Sequence, residues 1–185
     1  MVLWVAAALT ATVLTAACAT TPTAPAGAPA PGSSSPAVGP PPGPPGAVRV
    51  SGAVRDPGRV LTAEALRALP QREVEVSYQS AKGVEQRRER GVALDTIVAP
   101  GELATDPSRK NDQLTFAVLA VGADGYQAAV SYGEVSPDFG NRGILVALDE
   151  DGRPLPRPRL VVPGDVKGGR YVSDLVELRV AHVTG

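Results

Sequence analysis

The sequence predicts a single β-rich α+β domain with short helices, preceded by an apolar leader and a disordered linker. Three observations carry this. Val74, Val76 and Tyr78 alternate with Glu73, Glu75 and Ser77, and Val176, Leu178 and Val180 alternate with Glu177 and Arg179, the period-two mark of half-buried strands. Turn chemistry separates such runs, at Asp56-Pro57-Gly58, Ala123-Asp124-Gly125 and Asp149-Glu150-Asp151-Gly152. Residues 19–47 carry no charge and consist almost wholly of Pro, Ala, Gly, Ser and Thr, a composition that cannot build a core.

The chain opens on an apolar run, residues 2–14, too short for a comfortable membrane span and suited to a secretory signal. Thr15-Ala16-Ala17 and Cys18 follow, similar to a bacterial lipoprotein signal in which the cysteine becomes the lipidated first residue. Thr15 stands where leucine is commonest. No Lys or Arg precedes Arg49, so the basic start of a signal is missing, and a true start upstream of Met1 is expected. The competing reading is a buried apolar helix with an inert thiol. The boundaries expected are a signal at 1–17, the lipidated Cys18 and linker at 18–47, and the domain at 48–185. Pro40 to Gly46, PPPGPPG, favours extended polyproline conformations and acts as a spacer. A PxxP docking motif is the alternative, without a basic anchor beside it.

Within the domain, residues 48–54 alternate as a first strand. Thr62 is an N-cap for a short helix bearing Ala65, Leu66 and Leu69 on one face, ended by Pro70. A strand through Val74, Val76 and Tyr78 reaches a turn at Ala81-Lys82-Gly83. Residues 84–90, VEQRRER, form either a second exposed strand or a mobile loop, and a solvated edge is the expectation. Gly91 to Leu94 lead into a short helix closed by Pro100-Gly101. Residues 114–121 and 126–132 make a hairpin about Asp124-Gly125. A short irregular or helical stretch, 133–140, precedes a strand at 144–148. Asp149, Glu150 and Asp151 are expected in a solvated turn. The sum is about six to eight strands in one domain of about 135 residues.

Composition narrows the chemistry. A net charge of -1 in 185 residues offers no electrostatic footprint for nucleic acid. One cysteine excludes an internal disulfide, and one histidine leaves no histidine-rich metal site or Cys/His pair. His182, on the Val176, Leu178, Val180 face, is expected as a packed or rim residue. Nucleotide-binding glycine fingerprints, H-E-x-x-H and CxxC are absent, so no catalytic residue and no protein metal ligand is assigned. One stretch stands out. Leu160, Val161 and Val162 stop at Pro163-Gly164, and a glycine-rich loop with Lys167, Gly168, Gly169 and Arg170 leads to the last strand. Backbone N–H groups and a guanidinium in such a loop suit an anion. A tight turn with solvated ends is the alternative.

The order of elements resembles the molybdopterin-binding domain of the sulfite oxidase-type oxidoreductases. The residues that carry the resemblance are Val50-Ser51-Gly52-Ala53-Val54 with Asp56-Pro57-Gly58 and Leu66-x-x-Leu69-Pro70; Gly91-Val92-x-Leu94-x-x-Ile97-Val98; Gly122-Ala123-Asp124-Gly125-Tyr126; and Leu155 through Val180. The resemblance implies that fold, molybdopterin as the possible cofactor, and Arg170, Lys167, Gly168 and Gly169 as its phosphate contacts. The departures imply lost catalysis. The family's molybdenum-binding cysteine is missing from residues 77–90, where Gln79 or Ser80 stands near its position, and neither replaces a thiolate. Arg90 stands where tryptophan is common, and Ser173-Asp174 replaces Lys-Trp. The family's upstream histidine-bearing segment is also missing. The expectation is an extracytoplasmic lipoprotein of the bacterial envelope, held to the membrane by its lipid. Its oxidoreductase-like domain binds a small anionic ligand or an envelope protein. The alternatives are a molybdopterin-binding component of an envelope redox system and an adhesion lipoprotein.

Overall fold

The computed structural model describes residues 44–183. The expected signal, Cys18 and residues 18–43 of the linker lie outside them. Residues 44–47, which composition assigns to the linker, form a turn in which Ala47 N donates to Pro44 O (2.9 Å), and Ala47 is buried. No helix among the described residues is long and apolar enough to cross a membrane.

The domain is β-rich, with few short helices. Nine strands run in chain order: β1 (Val48–Gly52), β2 (Arg59–Leu61), β3 (Gln71–Ser80), β4 (Gly83–Ala93), β5 (Phe116–Gly122), β6 (Gln127–Ser131), β7 (Leu145–Glu150), β8 (Arg153–Val161) and β9 (Leu175–His182). Three short α-helices join them: α1 (Ala63–Ala68), α2 (Leu94–Ile97) and α3 (Tyr132–Val135). One sheet has the order β2-β1-β9-β5-β6 and is mixed, because β1 and β9 run parallel; the other, β3-β4-β7-β8, is antiparallel throughout. Both sheets give their apolar faces to one core, with Val50, Val118, Val130, Leu178 and Val180 from the first and Val92, Val146, Leu148 and Leu160 from the second. Tyr132 is fully buried there, and its hydroxyl donates to Val98 O (3.0 Å). Burial pushes its pKa up to about 12.

Local chemistry sets several boundaries as expected. Thr62 Oγ1 accepts from Ala65 N (3.1 Å) at the start of α1, and Leu66 is the residue that helix buries. The hairpin between β5 and β6 turns at Asp124, whose carboxylate accepts from Tyr126 N (2.9 Å). His182 is a rim residue, stacked on Phe116 with ring centroids 4.7 Å apart.

Three expectations are corrected. The charged residues 84–90 belong to β4, and the inner half of that strand is no solvated edge. From Glu89 onward β7 pairs alongside it, and Glu89 is fully buried. Asp149 and Glu150 belong to β7 rather than a solvated turn, because the strand continues to Glu150 and Asp151 begins the turn; Asp149 is buried and paired with Arg67 (3.2 Å). In β9 the buried set is Leu175, Leu178 and Val180 rather than Val176, Leu178 and Val180. The register against β5 shifts between Val121 and Gly122, so Val176 is an extra residue that reverses the alternation. Glu177 is then buried, held by Ser51 Oγ (2.5 Å) and Arg179 Nη2 (2.8 Å).

Gly91 explains one of the sequence motifs. It sits where the β4–β7 register shifts, and a Cβ there would lie 2.1 Å from Val146 O. The two backbones approach too closely for any side chain. Gly91→Ala should therefore destabilise the domain by about 1–3 kcal/mol, read by urea denaturation; an unchanged midpoint would show that the strands can part at no cost.

Candidate functional site

The site grows out of the β3–β4 hairpin. Its two-residue turn pairs Ser80 with Gly83, which aligns Tyr78 with Glu85, Val76 with Arg87 and Val74 with Glu89. One face of the hairpin therefore carries apolar residues on β3 and alternating charge on β4. Glu89 in turn lies opposite Glu150 of β7. Two carboxylates facing across a sheet repel. Arg159 of β8 relieves this, because its Nη1 reaches Glu89 Oε1 (3.4 Å) and also bonds Glu150 Oε2. Arg87 binds Glu85 (2.5 Å) and approaches Glu150 (3.9 Å).

Burial pushes the pKa of Glu89 up to about 7, with Glu150 acting in the same direction and Arg159 against it. Burial also opposes the charge of Arg159, but its carboxylate partners outweigh this and raise its pKa. Glu89 Oε2 has no hydrogen-bond partner. Beside this cluster Tyr78 and Tyr171 pack with centroids 4.6 Å apart at 55°. The buried Tyr171 hydroxyl also lacks a partner, and burial pushes its pKa up to about 12.

The glycine-rich loop runs beside the hairpin, where Lys167 pairs with Gln79 as a parallel bridge. It leaves β8 in one sheet and enters β9 in the other, so it must cross between layers. Several bonds tie it down. Gln79 N donates to Val166 O (2.8 Å), Tyr126 Oη donates to Gly169 O, and Leu160 and Val172 exchange backbone bonds (2.9 and 3.1 Å). Gly168 lies against the Tyr78 ring, where a Cβ would come within 2.9 Å of Cδ2. Packing on Tyr78 therefore accounts for that glycine without any ligand.

Between hairpin and loop lies an open cleft of about 850 Å3. It brings Lys167, Gly168 and Gly169 together with Gln79, Ser80 and Ser173. Arg170 is not among its walls. The Arg170 guanidinium is bidentate on Asp165 (2.8 and 2.7 Å) and reaches Glu134 (3.2 Å), and these carboxylates hold its pKa above the usual arginine range. Of the four residues expected to contact a phosphate, three line the cleft, and Arg170 instead ties the loop to α3. Sequence reasoning missed Arg159, Glu89, Glu150, Arg87 and Lys82. For Arg87 and Glu89 the signal was the two-residue turn, which fixes the hairpin register and puts Glu85, Arg87 and Glu89 on the face of Tyr78; Glu150 and Arg159 come from β7 and β8, and no local signal links them to it.

Molybdenum held by protein does not fit these residues. Gln79 and Ser80 supply no thiolate, and no group of three or more His, Cys, Asp or Glu able to hold a metal occurs among the described residues. No family model matches the chain, and no curated protein shows significant similarity to it.

Two outcomes are expected. Arg170→Gln should speed amide exchange in residues 164–172 and lower stability by about 1 kcal/mol; unchanged exchange would mean that the backbone bonds alone hold the loop. Glu89 keeps its proton to about 7 when folded but loses it near 4.5 in an unfolded chain. Its contribution to stability therefore falls as pH rises from 4.5 through 7. Thermal unfolding across that range should show the slope, and Glu89→Gln should flatten it.

Proposed function

We propose that this chain is a lipoprotein of the bacterial envelope whose domain is a reduced relative of the sulfite oxidase-type molybdopterin-binding fold, no longer catalytic and working as a ligand-binding module. The observation that carries this reading is the lining of the cleft, which brings Lys167, Gly168 and Gly169 together with Gln79 and Ser80. The resemblance makes the first set a phosphate-binding loop and puts a metal-binding thiolate in the place of the second. The loop offers Lys167, although Ser173 stands where the family's cofactor-contacting lysine is common. The thiolate position offers an amide and a hydroxyl, which are poor ligands for a high-valent metal. Oxygen-atom transfer has no first step without that centre, whereas ligand binding needs only the loop and the cleft.

A second reading keeps the pterin without protein ligation of molybdenum, as part of an envelope redox system. Lys167 supports it, since this lysine lines the cleft and, among the described residues, forms no ion pair that would compete with a phosphate.

The test is to produce the chain in a host that makes the molybdenum cofactor, then measure molybdenum by elemental analysis and pterin by fluorescence after oxidation. Neither is expected. Stoichiometric molybdenum would overturn the non-catalytic reading, and pterin without molybdenum would select the second one. For the anchor, Cys18→Ala should abolish incorporation of a labelled fatty acid and move the chain from the membrane to the soluble fraction; unchanged labelling would end the lipoprotein reading.

A further inference from the structure

The cleft carries a charge arrangement that the resemblance does not supply. Four cations, Lys82, Arg87, Arg159 and Lys167, and two carboxylates, Glu85 and Glu150, line it. Glu89 lies beneath the floor as a third carboxylate, fully buried. Arg87 and Arg159 are taken by carboxylates, whereas Lys82 and Lys167 have no ion-pair partner among the described residues. The two free ammonium groups come from different segments, one from the hairpin tip and one from the loop. The site thus has one excess positive charge with Glu89 ionised and two with it protonated. A dianion with separated charges matches the second state.

We propose that the cleft is a proton-linked site for a small dicarboxylate, in which Lys82 and Lys167 each hold one carboxylate at the rim, Arg159 faces the ligand from the floor, and binding takes up one proton on Glu89. The inference rests on the ligand-binding reading above and assigns its ligand class.

The linkage follows from Arg159. With both carboxylates ionised, its guanidinium is divided between Glu89 and Glu150. A proton from solvent on Glu89 removes one of these claims and leaves more of the positive charge to the ligand. A bound dianion in turn raises the hold of Glu89 on its proton, since a nearby negative charge favours the neutral acid. The groups that act on Glu89 are Arg159 from β8, Glu150 from β7 and Tyr171 from the loop, while Arg87 and Glu85 of its own strand and Tyr78 of β3 share its face of the sheet. Burial holds the pKa of Glu89 at about 7, where proton uptake is seen near neutrality.

The experiment is calorimetric titration of the full-length chain with succinate, which stays ionised from pH 6.5 to 9. Affinity should fall by about tenfold per pH unit above 7, as one linked proton requires. Repeating the titration in two buffers of different ionisation enthalpy should give close to one proton taken up per ligand, a readout that needs no variant. Glu89→Gln should abolish the pH dependence and keep tight binding at high pH. The Lys82→Ala/Lys167→Ala double variant, altered only at the rim, should lose binding while its unfolding midpoint stays put. Absent succinate binding, pH-independent affinity, or an unchanged slope in Glu89→Gln would each overturn the proposal. Molybdenum in the purified chain together with proton-linked succinate binding would remove the non-catalytic reading alone; no molybdenum and no succinate binding would remove this inference alone.

Discussion

The fold depends on the position of its last strand. β9 is hydrogen-bonded to β1 on one side and to β5 on the other, so the last of the nine described strands occupies the centre of the five-stranded sheet. The parallel pairing with β1 joins the two ends of the domain, and the Ser51–Glu177 bond spans 126 positions. Such pairing pays a loop-closure entropy before any contact rewards it. The return comes from Leu175, Leu178 and Val180, each almost wholly buried and each worth about 1.5–3 kcal/mol by transfer from water. Without β9, β1 and β5 become two open edges, and the core between the layers loses its middle.

The cleft inherits its form from that placement. β8 belongs to one sheet and β9 to the other, so the connection between them must cross the layers. That crossing is the glycine-rich loop, and the β3–β4 hairpin beside it completes the lining of the cleft. Arg170 is spent in the process. Its bidentate pair with Asp165 and its contact with Glu134 fix the loop to α3. The cation that looked most like an anion contact is therefore structural. The cations that do line the cleft come from the hairpin, from β8 and from the loop.

Much of the fold was legible because it is local. The alternation in β3, the Thr62 cap and the Asp124-Gly125 turn each rest on residues a few positions apart, and each formed as read. The face of β9 was misread at Val176 because a bulge is a property of two strands, and nothing in the sequence of one announces it. Residues 84–90 looked solvated for a similar reason. Their charge is plain in the sequence, but that Glu89 is covered depends on β7, about sixty positions away in the chain. Three of the four loop residues expected at the site do line it, because a glycine-rich run between two strands is itself a local feature.

The sequence alone therefore determined several of the strand-forming segments, the turns that bound them, the lack of any cysteine in residues 44–183, and the single loop with the composition of an anion contact. These follow from residue type and from spacing over a few positions. Only the tertiary structure decided which charges neutralise one another. Arg159 stands seventy positions from Glu89 and nine from Glu150, yet it bridges both, because β4, β7 and β8 lie side by side. Coulomb energy acts through distance in space and through burial, and neither quantity is written along the chain.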